Sequence, residues 1–140
     1  MATYNKFNVF ATDLANAAHN FSSHTYKVML TLTAPVSTNA VLTDLTEISG
    51  GNGYTAGGTA TSVTLTNTLG TLKATAANVT FTATGGTIGP FRYAVFYNST
   101  QTSPVKPLVA WFDYGSSVTL NSGETFTWTP DATNGLFTLA

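Results

Sequence analysis

The sequence has no cysteine, and only 8% of its 140 residues are charged, five Lys/Arg against six Asp/Glu. Without cysteine there is no disulfide framework, thiolate nucleophile or Cys-ligated metal, and cysteine usage says nothing about redox compartment. The shortage of charge is equally unusual, since globular proteins average about 25% charged residues. A formal charge of −1 cannot neutralise a phosphate track, so sequence-independent nucleic-acid binding is close to excluded. Docking on anionic lipid needs a cluster of cations and is close to excluded too. Long apolar runs are also missing. The longest, Ala94–Tyr97 and Leu108–Phe112, are far too short to span a bilayer. The opening run Met1-Ala-Thr-Tyr-Asn-Lys-Phe7 has neither the cationic start nor the apolar stretch of a secretory signal. The expectation is one domain over residues 1–140, made in the cytoplasm without an export signal.

What the chain does have is threonine, at 28 positions, with Asn and Ser at 21 more. These fall into a period of two. Tyr26, Val28, Leu30 and Leu32 alternate with Thr25, Lys27, Met29, Thr31 and Thr33. Val63, Leu65 and Leu69 interleave with Thr64, Thr66 and Thr68. Val79, Phe81 and Ala83 alternate with Thr80, Thr82 and Thr84, and Phe126 and Trp128 with Thr125, Thr127 and Thr129. Such alternation predicts strands with one wet face. Threonine suits that face, because its β-branch fits a pleated surface and its hydroxyl satisfies water.

Residues 91–97 and 108–112 are nearly apolar on both faces. They are either central strands or have an outer face covered by something else. Turn signals stand at Gly85-Gly86, Gly89-Pro90, Tyr114-Gly115, Asn121–Gly123 and Asn134-Gly135. The last predicts a hairpin between 124–130 and 136–139. Residues 39–48 read as a short helix, with Val41, Leu45 and Ile48 on one face and Gly50-Gly51 as its stop. A further turn of helix fits 13–18. Residues 49–60 form a Gly-rich segment, read as a long mobile loop, and residues 1–12 as an N-terminal arm. The fold class is all-β, an antiparallel β-sandwich or jelly roll with one short helix.

Candidates for chemistry thin out on inspection. His19 and His24 are five apart, whereas a helical metal pair wants four and a strand pair two. Asp44 and Glu47 share one side of the predicted helix, but glycosidase carboxylates face each other across a cleft. Asp113, Glu124 and Asp131 border turns, where Asp is common for local backbone bonding. Gly115-Ser116-Ser117 lacks a nucleophile elbow. Gly51 to Gly57 imitates a dinucleotide loop with its third glycine one place late. No catalytic, cofactor or metal residues are assigned, and the chain is not expected to be an enzyme. Most of the aromatics are expected in the core, the alternative being that a minority forms an exposed stacking platform for sugars or another protein.

The segments Thr46–Gly58, Phe91–Tyr97 and Leu108–Ser117 resemble small structural proteins encoded beside the capsid genes of tailed bacteriophages. Size, threonine richness and lack of cysteine are similar to the capsid cement, or decoration, proteins of that group. The resemblance implies a β-sandwich on the outside of an icosahedral head, bridging capsomers. Its partners would be the major capsid protein and further copies of itself as a homo-oligomer, with no nucleic acid, membrane or cofactor. A tail or fibre component is the rival within phages, and a carbohydrate- or receptor-binding sandwich the rival outside them. Residues expected to contact a partner are Tyr4, Phe7 and Phe10 of the arm, Tyr54 of the loop, and the anchors Arg92, Trp111 and Tyr114. The competing expectation is that the arm is simply the first strand and Trp111 is core.

Overall fold

The computed structural model describes residues 3–140. In chain order the elements are β1 (Thr3–Lys6), α1 (Val9–Ala15), β2 (Tyr26–Thr31), a 3₁₀ turn (Leu42–Asp44), β3 (Thr59–Thr61), β4 (Val63–Thr68), β5 (Thr71–Ala76), β6 (Val79–Thr82), β7 (Ile88–Asn98), β8 (Leu108–Leu120), β9 (Thr125–Trp128) and β10 (Phe137–Leu139). All pairings are antiparallel. One layer is a five-stranded sheet in the order β1-β8-β7-β2-β3, and opposite it stand two smaller sheets, β10-β5-β4 and β6-β9. The protein is an all-β antiparallel sandwich. Its second layer is divided, unlike the two continuous sheets of a regular jelly roll.

The core between the layers follows the alternation. Tyr26, Val28 and Leu30 of β2, Ala94 and Phe96 of β7, and Ala110 and Phe112 of β8 meet Val79, Phe81 and Trp128 from β6 and β9. Burial of each large apolar side chain stabilises by about 1.5–3 kcal/mol. The outer face of the five-stranded sheet is closed as well. Met29, Val95, Tyr97 and Leu108 lie with Phe7 in a second buried cluster, packed by Val9, Leu42, Leu45 and Trp111. That cover explains why 91–97 and 108–112 are apolar on both faces.

The covering segment is the stretch expected to be helical. Only Leu42–Asp44 makes a turn, and Val41 and Leu45 on either side are extended. Its backbone bonds go to other parts of the chain: Leu42 N–H to the Lys106 carbonyl, Ile48 N–H to that of Leu30, and Leu108 N–H to that of Ala40. Tertiary partners thus replace the i→i−4 ladder. Met29 and Thr31, expected to face water, are fully buried beneath this segment, and the Thr31 hydroxyl donates to the Thr46 carbonyl. Leu32, expected inside, lies beyond β2 and is exposed.

Other readings shift for similar reasons. Tyr114-Gly115 and Gly89-Pro90 lie inside β8 and β7 rather than at turns, where the pairing register slips between Ile88 and Tyr93. The 124–130/136–139 hairpin does not form, since β9 pairs with β6 and β10 with β5. The Asp131 carboxylate gathers the N–H groups of Thr133 and Asn134, and Leu136 N–H bonds to Ala74, which turns the chain onto β5. In β4 only Val63 packs on the core, while Leu65 is exposed. Leu69 stands fully exposed, because Leu69-Gly70 is a two-residue turn with φ of 52° and 87°, the type I′ geometry favoured in hairpins.

Candidate functional site

A groove of about 700 Å³ opens between the layers. Tyr4 of β1 with Phe112 and Tyr114 of β8 line one side of it. They share a single face of the five-stranded sheet: Tyr4 pairs with Phe112, and Tyr114 is two residues on, where side chains return to the same face. The opposite side is built differently. Phe126, Thr127, Trp128 and Thr129 line it in unbroken succession, and so do Asn134 through Thr138. One side of the groove is thus a sheet face, and the other is formed by β9, β10 and the loop that joins them. Among the described residues β9 pairs only with β6 and β10 only with β5.

The aromatic rings meet mostly edge to face: Tyr4 on Phe112 at 5.4 Å, Phe112 on Trp128 at 5.2 Å, and Tyr114 on Phe126 at 5.3 Å between centroids. Such contacts add roughly 0.5–1.5 kcal/mol each beyond area burial. Burial pushes the Tyr4 hydroxyl up to about 12, so it stays protonated near neutrality. The Trp128 indole N–H is enclosed without a hydrogen-bond partner among the described residues. Asp131 is the one charged residue in the lining. Its carboxylate accepts the Thr133 and Asn134 N–H groups and the Asn134 side-chain amide, and these bonds hold it below the usual carboxylate range. The lining otherwise offers aromatic carbon, threonine hydroxyls and backbone. It is equipped to bind an uncharged group, and it holds no nucleophile paired with a base.

Of the residues expected to contact a partner, the groove brings together only Tyr4 and Tyr114, respectively 39% and 49% exposed. Phe7 and Phe10 are buried in the chain's own two cores, so they present no surface to a partner. The arm over 1–12 is, from Thr3 onward, a paired strand followed by the start of α1; Met1 and Ala2 lie outside the described residues. Trp111 is partly buried on the outer face, 4.6 Å from the Phe7 ring. Arg92 makes a two-pronged ion pair with Asp113, at 2.8 and 3.0 Å, which engages its guanidinium within the chain while the side chain stays 38% exposed.

Tyr54 is buried rather than tethered in solvent. Its hydroxyl donates to Glu47 Oε1 at 2.6 Å and accepts the Leu30 N–H at 3.0 Å. The same Glu47 oxygen takes the Gly57 N–H, and Tyr97 donates to the Gly57 carbonyl. At Gly58, φ is +81° and a Cβ would run into the Val28 carbonyl oxygen. The glycines thus let the loop press against β2, and Glu47 clamps it there. Desolvation and the facing Glu47 carboxylate push the Tyr54 hydroxyl up, keeping it a donor.

The histidines enter a buried polar cluster. The Asn98 amide nitrogen lies 2.9 Å from His24 Nδ1, and the Tyr26 hydroxyl 3.2 Å from His19 Nδ1. Burial, with His24 beside it, lowers His19 to about 4. His19 Nε2 and Asp13 Oδ2 have no hydrogen-bond partner among the described residues. No group of three or more His, Cys, Asp or Glu side chains that could hold a metal ion occurs among the described residues.

Sequence reasoning missed Phe112, Phe126, Trp128 and Phe137 as site residues. Their alternation reads as core, and nothing within a single strand says that a groove opens beside them. No helix among the described residues is long and apolar enough to cross a membrane. Set against known protein families, characterised proteins and solved structures, the chain finds no match.

Proposed function

We propose that this protein is a non-enzymatic virion component that binds the outer surface of an icosahedral capsid and stabilises it by bridging capsomers. The observation that carries the reading is an aromatic groove opening in an almost uncharged, threonine-rich surface. A protein packed at high density on a lattice gains from such a surface, since it avoids like-charge repulsion and the cost of desolvating ions at each contact. The resemblance of its Gly-rich and aromatic segments to capsid cement proteins supports the same role. Bridging opposes capsomer separation with the binding free energy of each copy. The wiring proposed is that of a jelly-roll variant, and the assembled form a homo-oligomer.

The test is reconstitution on heads that lack the protein. The purified chain should sediment with them at low and high salt alike, because few ions are available to screen. Decorated heads should retain DNA to a higher temperature than bare ones. Absence of binding, or equal DNA loss, overturns the reading. A second reading, a carbohydrate- or receptor-binding module, is favoured by the two exposed tyrosines at the groove, Tyr4 and Tyr114. Binding to a glycan array that is lost in Tyr114→Ala would select it.

A further inference from the structure

Asn98, at the end of β7, is fully buried and ties two loops together. Its Oδ1 accepts the N–H groups of Thr100 and Gln101, at 3.0 and 3.2 Å, from the loop that leads to β8. Its Nδ2 faces the segment ahead of β2, 3.3 Å from the Ala18 carbonyl oxygen and 2.9 Å from His24 Nδ1. These partners fix the orientation of the amide. Turned over, it would set an amino group against two backbone N–H groups and an oxygen against a carbonyl. An amide nitrogen only donates, so His24 Nδ1 accepts, and the proton of the neutral ring sits on Nε2. The other imidazole is served through a relay. Asn98 Nδ2 lies 3.4 Å from the Tyr26 hydroxyl, and that hydroxyl, 3.2 Å from His19 Nδ1, donates its own proton there.

We propose that His24 and Asn98 form a latch, opened by acid, between the loop ahead of β2 and the loop joining β7 to β8. A proton taken up by His24 goes to its bare nitrogen, Nδ1, and leaves two donors facing each other with no acceptor between them. Asn98 cannot answer by turning over, because that forfeits Thr100, Gln101 and Ala18. A counter-ion is missing as well. The titratable or charged residues of the surrounding elements are His19, Asp13 on α1, Tyr26 and Lys27 on β2, and Lys106 in the β7–β8 loop; β10, which packs on Phe21, has none. The one ion pair among the described residues is Arg92–Asp113, so neither imidazole has a carboxylate partner. His24 is only partly buried and is the partner that leaves, carrying its charge into water. His19 is the contrast, since it is buried against Phe10, Phe21 and Tyr26. Release is local. Thr25 still donates its N–H to Thr100 Oγ1 and accepts the Ser99 N–H, but Asn98 loses its shortest contact, and the Thr100 and Gln101 N–H groups depend on that side chain.

The experiment is an NMR titration of the full chain labelled with nitrogen-15. At about pH 7.5, long-range proton–nitrogen spectra should show His24 with Nδ1 bare and Nε2 protonated. Acidification to about pH 5 crosses the range in which histidines ordinarily gain a proton. Over it, the Asn98 side-chain amide and the Thr100 and Gln101 backbone amides should shift with the same midpoint as the His24 ring. Protection of those two backbone amides from solvent exchange should fall about tenfold, while Val28 and Phe96, paired within the β2–β7 ladder, keep theirs. His24→Gln, which offers an acceptor but no titrating ring, should abolish the midpoint, and His19→Asn should leave it in place. A proton found on Nδ1 at neutral pH overturns the proposal. So does a ring that stays neutral to about pH 5, a set of amides that ignores its titration, or the same midpoint in His24→Gln. The unsubstituted chain decides the matter by itself if a variant fails to fold. No capsid is present, so failure here and failure of head binding are separate results.

Discussion

The two layers of this sandwich use the same residue types and meet different ends. The five-stranded sheet is continuous, and its outer face is closed by Phe7 and the segment carrying Leu42 and Leu45. The layer opposite is split into sheets of three and two strands, and along β4 every residue after Val63 is exposed. The first layer holds most of the fully buried side chains, among them Tyr26, Phe96 and Tyr97. Most of the buried core is thereby held on one side of the molecule, and the groove lies where the divided layer leaves Tyr4 and Tyr114 of the other uncovered.

That contrast can be broken most forcefully at Phe96, which is fully buried and stacks with Tyr26 at 5.2 Å and Trp128 at 6.0 Å. Phe96→Ala should lose about 3–5 kcal/mol of stability in chemical denaturation. A loss near that of a surface substitution would mean that the first layer is not the rigid one.

Acid tests the same side of the molecule through His19. Its pKa is lowered to about 4, so between pH 6.5 and 4 the unfolded chain takes a proton that the folded chain refuses. Stability therefore falls as pH drops through that window, by about 3 kcal/mol in total from this group. Asp113, held low by Arg92, adds a further loss at lower pH, as its carboxylate is protonated. Asp13 acts oppositely, since desolvation raises it and acid relieves that cost. A melting-temperature profile against pH should slope between 6.5 and 4, and the slope should flatten in His19→Asn.

Tyr54→Phe sharpens the comparison in the Gly-rich loop. It removes the hydroxyl shared by Glu47 and the Leu30 N–H, and leaving such groups unpaired costs about 1–3 kcal/mol. Hydrogen exchange of residues 50–58 should rise. Were the loop already as mobile as its glycine content suggests, exchange would not change. The smallest effect is expected in the other layer, where Leu65→Ala on β4 should change stability by no more than about 0.5 kcal/mol, measured by the same denaturation.

Much of this arrangement is legible in the residues. The alternation at 79–84 placed Val79, Phe81 and Ala83 inside, and there they are. Apolar residues on both faces of 91–97 and 108–112 announced that the outer face was central or covered. The covering segment itself was misread, because Val41, Leu45 and Ile48 have helical spacing while their backbone bonds are claimed by β2 and by residues 106–108. Tyr54 was misplaced for a related reason. Glycine content reports how freely a chain can bend, but whether Gly58 is used for motion or for close approach depends on the Val28 carbonyl facing it.

Local periodicity, turn residues and the scarcity of charge act over a few positions, so the sequence alone determined an all-β chain with neutral, threonine-rich strand faces. Which edges stay unpaired is a property of strands far apart in the chain. β9 could have followed its own turn back onto β10, and it is Asp131 and the Leu136–Ala74 bond that send β10 to β5 instead. Tertiary structure therefore decided that a groove exists, that Tyr4 and Tyr114 meet in it, and that Phe7, Phe10 and Tyr54 do not. Hydrogen bonds between strands are satisfied by whichever partner packing brings near, and no pattern within a single strand records that choice.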